Sequence, residues 1–76
     1  MSELEFMREF GKNLSDLLED AWMTQTELAE ETGLSNSTIS YYVNGERMPS
    51  AKAIVNIMLV LDCEFEELVP FGEMID

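Results

Sequence analysis

The sequence predicts an all-α fold, a compact bundle of about five helices in one domain of 76 residues. Apolar residues recur every three or four positions through the first twenty residues, which is the spacing of one helical face. Hydroxyl residues suited to capping a helix N-terminus precede four stretches of helix-forming sequence: Ser2, Thr24, Ser35 and Ser50. A hydrophobic share of 46% is ordinary for a folded chain, so disorder is not expected.

The first helix is predicted to begin after Ser2, which forms a capping box with Glu5, and to run to about Ala21. Gly11 interrupts its apolar face at a cost of about 1 kcal/mol relative to Ala, so a break there is the alternative. We expect residues 1–10 to lengthen this helix rather than to form a separate acidic arm.

Two further helices lie within residues 24–44. The first begins at Thr24, which opens a Thr-x-x-Glu capping box, and ends at Gly33, where a left-handed backbone is available at little cost. The second is capped by Ser35 and is predicted over residues 36–43. Two helices joined by a short turn containing Gly form a helix-turn-helix.

A fourth helix, predicted over residues 51–61, is apolar on almost every side, which implies burial on almost every side. One face is enough for the core of a small domain, so three of its residues are surplus: Val55, Leu59 and Val60. Either the tail, residues 69–76, or a second subunit should cover them. The apolar residues of that tail are Phe71, Met74 and Ile75. A short fifth helix is expected over about residues 64–69, with Phe65 and Leu68 inward.

The net charge of −12 has the wrong sign for a general nucleic-acid binder. Its distribution is uneven, because residues 32–61 hold Arg47 and Lys52 against Glu46 alone, a net charge of +1. The rest of the chain holds two cations and fifteen acids. The central segment is therefore the part of the chain that could lie against a polyanion.

Signals for catalysis and for metal binding are absent from the sequence. It has no His, no Cys pair, no phosphate-binding loop and no nucleophile elbow, so we expect no enzyme, cofactor or metal. Cys63 is expected to be a small buried side chain. The longest apolar run, residues 57–61, is far too short to span a membrane, and no signal peptide is visible. A cytoplasmic protein is the expectation.

Three sequence blocks carry a resemblance to a known family. They are TQTELA at residues 24–29, GLSNSTIS at 33–40 and NGERMPS at 44–50. In this register they resemble the lambda-repressor/Cro-like (XRE) helix-turn-helix family, over roughly residues 11–68. The resemblance implies a lambda repressor-like DNA-binding domain and a sequence-specific transcriptional regulator. It also implies binding to a palindromic operator on double-stranded DNA as a homodimer.

The resemblance also implies site residues, because in this family the second helix of the pair enters the major groove by its N-terminal end. Three residues are then candidates for base contacts: Asn36, Ser37 and Tyr41. The candidates for contacts to the DNA backbone are Gln25, Thr38, Ser40, Asn44, Arg47 and Lys52. For Thr38 and Asn44 local capping is nearly as good an explanation, and the alternative for Tyr41 is an exposed ring leaning on its neighbours.

Trp22 occupies a position where the family often has Gly to end the first helix, and we expect its ring to cover the edge of the core. Met23 is expected in the core. Leu18 and Val43 occupy positions where many family members carry an Arg–Glu ion pair, and we expect the two apolar side chains to touch.

The alternative function is an acidic protein-interaction module on the same fold. Such a module, antitoxin-like or a co-regulator, would bind a basic protein and contact DNA weakly or not at all. The distinguishing feature is whether the acidic residues lie beside the recognition helix, the second helix of the helix-turn-helix, or opposite it.

Overall fold

A computed structural model describes residues 1–70 and confirms the all-α prediction over that range. Its five helices are α1 Glu3–Asp20, α2 Gln25–Thr32, α3 Asn36–Val43, α4 Ala51–Leu61 and α5 Phe65–Leu68. The predicted N-caps Ser2, Thr24, Ser35 and Ser50 each accept a hydrogen bond from the backbone N–H three residues later. Gly33 ends α2 with φ +77°, the left-handed conformation expected there. No helix among these residues is long and apolar enough to cross a bilayer.

α1 runs without a break through Gly11, and the reason is tertiary. A Cβ at this position would lie 2.5 Å from both the Tyr42 and the Val43 carbonyl oxygens. Glycine therefore lets the end of α3 approach the backbone of α1 directly. What looks in the sequence like a weak point in a helix is the place where two helices cross.

The core lies between α1 and the helix pair α2–α3. It is completed by α4, which packs against α2, and by α5, which packs against α1. Its largest fully buried side chains are Phe10, Leu14, Leu28, Ile39, Ile57 and Leu68. The rings of Phe10 and Tyr42 meet edge to face, with centroids 5.9 Å apart and planes at 88°. The Asn13 side-chain amide donates to the Leu68 carbonyl over 3.1 Å, which ties α5 to α1. The orientation of α3 is thus fixed by buried side chains on its inner face.

Leu18 and Val43 both belong to this core, the first buried and the second packed against the buried cluster. The observed close approach of the end of α3 to α1 is at Gly11, seven residues before Leu18. A direct contact between the Leu18 and Val43 side chains stays a prediction.

Three side chains lie further out than the sequence led us to expect. Trp22 does not cover the core edge, because its side chain is 94% exposed. Phe65 is 43% exposed rather than inward, since the single turn of α5 turns Leu68 into the core instead. Met23 is half-buried against the core.

Part of the surplus apolar surface predicted on α4 is exposed in the described structure. Val55 is 54% exposed and Leu59 75% exposed, whereas Val60 is half-buried against the core. Phe71, Met74 and Ile75, the tail residues expected to help cover this surface, lie outside the described residues.

Cys63 is half-buried and follows Asp62, which ends α4 in a left-handed conformation with φ +51°. Burial raises the pKa of the Cys63 thiol, and the neighbouring Glu67 carboxylate raises it further. The thiol is therefore protonated at neutral pH, and Cys63 packs against the core as an uncharged side chain.

The capping box of α2 makes stability depend on pH in a defined direction. The Thr24 backbone N–H donates to Glu27 Oε1 over 3.0 Å and lowers the pKa of that carboxyl. A lowered folded pKa adds stability above the unfolded value, about 4.3 for Glu, and this stability is lost as the pH falls through the folded value. Glu27→Gln keeps an acceptor but removes the charge. We expect wild type to exceed Glu27→Gln in unfolding free energy at pH 7, and the difference between the two to be smaller at pH 3.

Urea titrations of both proteins at pH 7 and pH 3 measure this difference. Glu30→Gln is the matched control, since Glu30 is exposed on the same helix. An equal gap between wild type and Glu27→Gln at both pH values would contradict the charge-dependent cap.

Candidate nucleic-acid interface

Helix α3, the second helix of the helix-turn-helix, is held by one face and open on the other. Ser35 Oγ accepts the Thr38 backbone N–H over 3.0 Å and so fixes the first turn. Ile39 and Tyr42, three residues apart, are buried and turn the remaining positions outward. A helix anchored in this way presents its other side chains at fixed positions, which a reading surface requires.

The outward face of α3 lines a shallow groove of about 370 Å³. Its lining residues are Asn36, Ser37, Ser40, Tyr41 and Glu46. The first four are sequence candidates, and the structure brings all three base-contact candidates, Asn36, Ser37 and Tyr41, into one groove. Amide and hydroxyl groups can both donate and accept hydrogen bonds, so this face suits the mixed pattern of a base-pair edge.

Three of the backbone-contact candidates, Thr38, Ser40 and Asn44, are engaged in local hydrogen bonds. The Thr38 and Ser35 hydroxyl oxygens lie 2.8 Å apart, and the Asn44 side-chain amide donates to Ser40 Oγ over 3.3 Å. The local-capping explanation of Thr38 and Asn44 is therefore realised in the structure. These bonds do not prevent a phosphate contact, because a hydroxyl has acceptor and donor capacity for more than one bond.

Tyr41 and Arg47 form one unit at the end of α3. The Arg47 guanidinium carbon lies 4.3 Å from the centre of the Tyr41 ring, a cation–π contact. The backbone N–H of Glu46 donates to the Tyr41 carbonyl over 2.8 Å and folds the turn back to bring Arg47 there. Arg47 thus lies next to Tyr41, a candidate for base contact. The packing of Tyr41 against Arg47 also agrees with the alternative explanation, an exposed ring that leans on its neighbours.

The remaining backbone-contact candidates lie at helix N-termini. Gln25 is the first residue of α2 and Lys52 the second of α4, and both are exposed. Helix N-termini carry unpaired N–H groups and a partial positive charge, which favour phosphate oxygens.

Two residues near this surface were not found by sequence reasoning. Glu46 places a carboxylate in the groove itself. Arg8, on the N-terminal extension, lies at the turn after α3, because a Cβ on Gly45 would be 3.1 Å from the Arg8 Cα. Glu46 could have been suspected from its place directly after Asn44-Gly45. The position of Arg8 depends on the path of α1 across α3 and left no signal in the sequence.

The acidic residues are distributed unevenly around the groove. Neither α3 nor α4 carries an Asp or Glu, whereas α2 carries three exposed glutamates, Glu27, Glu30 and Glu31. Within residues 1–70, no three His, Cys, Asp or Glu side chains converge as a metal site. The groove is therefore a polar surface with one carboxylate in its lining and acids on the neighbouring helix.

Comparison with known proteins gives one family match and similar solved structures. The helix-turn-helix family HTH_3 matches residues 12–68. The restriction-modification controller protein C.AhdI from Aeromonas hydrophila is 31% identical, with a TM-score of 0.78 over 82% of this chain and 94% of that one. An HTH_3 family transcriptional regulator from Vibrio cholerae is 19% identical and shares the fold, with a TM-score of 0.82 over 88% of this chain and 38% of that one. No curated protein matches this chain.

Proposed function

This chain belongs to the HTH_3 helix-turn-helix family, and from that premise we propose that it is a sequence-specific DNA-binding transcriptional regulator. It binds a palindromic operator as a homodimer and needs no cofactor. The observation that carries the proposal is the groove on α3, where Asn36, Ser37 and Tyr41 stand together on a helix held rigidly by its buried face.

Base reading comes from the N-terminal half of α3. Asn36 is exposed at the first position of the helix, and an Asn amide can pair with both N6 and N7 of adenine. Ser37 is permissive, because its hydroxyl can donate or accept. Tyr41 adds an apolar edge and a phenol, and the adjacent Arg47 turns a positive charge toward the duplex. Glu46 accepts hydrogen bonds only, so it disfavours phosphate nearby and suits a cytosine amino group.

Backbone contacts set the register of the protein on the duplex without reading sequence. The candidates are Gln25, Thr38, Ser40, Asn44, Arg47 and Lys52, and we add Arg8 because it lies against the Gly45 turn. With few cations the protein releases few counterions, so its affinity should depend only weakly on salt.

Dimerisation compensates for this weak electrostatic binding. Two modules on one duplex gain effective concentration, which raises affinity without a new contact to DNA. The exposed Val55 and Leu59 on α4 provide an apolar surface that a second copy could bury. A homodimer would present two α3 helices, one to each half-site of a palindromic operator.

The test combines mass with DNA selection. Sedimentation equilibrium should give a dimer near 17 kDa, about twice the 8.7 kDa chain. Selection from random duplexes should yield a two-fold symmetric consensus, and Val55→Ser with Leu59→Ser should shift the protein to monomers. Recovery of no consensus at either low or moderate salt would contradict the regulator proposal.

Arg8→Ala and Arg47→Ala are each expected to weaken binding to operator and random DNA alike. Each lost phosphate contact should reduce the slope of log affinity against log salt by about 0.9. Fluorescence anisotropy at several salt concentrations measures both quantities. Lys12→Ala is the matched control, because it removes the same charge from an exposed position on α1 outside the candidate set. A loss confined to the operator, or an equal effect of Lys12→Ala, would contradict the backbone-contact assignment.

The alternative, a module that binds a basic protein partner, draws support from Glu46 and the acids of α2. It predicts tight partner binding together with no retention of DNA of any sequence. The DNA selection above separates the two functions.

A further inference from the structure

The corner between α1 and α2 contains a residue that the fold does not need. Ala21 caps α1, and Trp22 follows with φ +55° in the left-handed region. The Trp22 N–H donates to the Glu19 carbonyl over 3.1 Å, and the Met23 N–H donates to the Leu18 carbonyl over 3.0 Å. These two bonds form a Schellman motif, whose left-handed position is usually Gly.

A tryptophan in this position lowers stability relative to glycine, because its Cβ crowds the backbone in the left-handed region. Burial of the ring could offset this loss, yet the Trp22 side chain is 94% exposed. Its packing contributes almost nothing to the described fold, so the explanation for this residue lies outside the chain's own stability.

The indole borders a groove with a volume of about 580 Å³. The lining residues are Leu18, Glu19, Asp20, Trp22, Met23 and Thr24. Carboxylates, an apolar floor and an open aromatic ring meet here, and none of the described residues that line the groove is a cation. None of these residues lines the groove on α3.

We infer that this corner groove docks a basic segment of a partner protein. An arginine or lysine side chain lies on the face of the Trp22 indole, where the ring quadrupole attracts a cation. The Glu19 and Asp20 carboxylates flank that cation, and Met23 receives the aliphatic part of the same segment. Charge complementarity selects this occupant: the molecule carries a net charge of −12, and the groove adds two carboxylates to an aromatic surface.

The test uses the full chain and a displayed library of random 12-residue peptides. Peptides retained by wild type should be enriched in Arg and Lys over the unselected library. Because Trp22 is the only tryptophan of the chain, its emission reports docking directly and should shift on titration with a retained synthetic peptide. Trp22→Gly should weaken binding of that peptide by about 2- to 30-fold. Glu19→Gln with Asp20→Asn should weaken it as well, and Trp22→Tyr should retain most of it.

Trp22→Gly also carries its own control for folding, since glycine suits the left-handed position and should raise Tm by about 4–8 °C. Weaker peptide binding by a more stable protein cannot be attributed to unfolding. The inference is overturned if no peptide is retained, if retained peptides lack basic residues, or if they bind Trp22→Gly equally well. The inference is also overturned if no peptide is retained and Trp22→Gly no longer retains DNA, because the indole would then contact DNA. The peptide-binding measurements contain no DNA, so a negative result in them leaves the proposed regulator function intact.

Discussion

Replacing Gly11 with alanine is expected to lower the unfolding free energy by about 2–3 kcal/mol, although alanine is the better helix former. Helix propensity alone would favour alanine by about 1 kcal/mol. The added Cβ, however, would lie 2.5 Å from two backbone carbonyl oxygens of α3, which cannot rotate away as a side chain could. Overpacking of this kind typically costs about 1–3 kcal/mol and sometimes more, and here α3 must shift as a whole.

Urea unfolding followed by circular dichroism measures the free energy, and thermal unfolding should show a Tm lower by about 8–24 °C. Ser15→Ala, an exposed position on the same helix, is the matched control and should change stability by less than about 0.5 kcal/mol. A more stable Gly11→Ala protein would show that α1 and α3 do not cross closely. Because the shift moves α3, DNA affinity should fall even at temperatures where the variant is folded.

Replacing Asn36 with alanine is expected to lower affinity for the selected operator by about 10- to 100-fold while leaving random DNA within about twofold. A bidentate pair with a base contributes about 1–3 kcal/mol of discrimination, and random sequences seldom offer that pair. Ser37→Ala and Tyr41→Ala should change which sequences are preferred. Asn36 is exposed, so the melting temperature should remain near that of wild type.

Competition anisotropy against operator and random duplexes provides the measurement. Arg47→Ala is the contrasting variant, because it should weaken both duplexes to the same degree. If Asn36→Ala reduced both affinities equally, the residue would contact the backbone rather than a base. If it changed neither, the groove on α3 would not be the reading surface.

The helix boundaries could be predicted because the chemistry that sets them is local. A serine or threonine followed three residues later by glutamate satisfies backbone N–H groups within one turn, and glycine allows the left-handed end of α2. The span of α3, residues 36–43, is the predicted one because the Ser35 side chain accepts the Thr38 backbone N–H at its start. The outward face of α3 agrees with helical periodicity, since the buried Ile39 and Tyr42 lie three residues apart on the opposite face.

What could not be predicted depends on residues that are distant in sequence. Gly11 was interpreted from helix propensity, whereas its role is set by carbonyl groups more than thirty residues away. The place of Arg8 depends on the same helix crossing. The Trp22 ring was expected to cover the edge of the core, whereas in the structure the residue has a left-handed backbone and its side chain is 94% exposed. Non-local packing, rather than local preference, accounts for these differences.

The edge-to-face contact between Phe10 and Tyr42 has a consequence for how such a protein could evolve. The side chains that seat α3 and those that face outward from it are separate sets. New outward residues could therefore be exchanged while the scaffold beneath stays unchanged, and a duplicated copy could acquire a different target without first losing its shape.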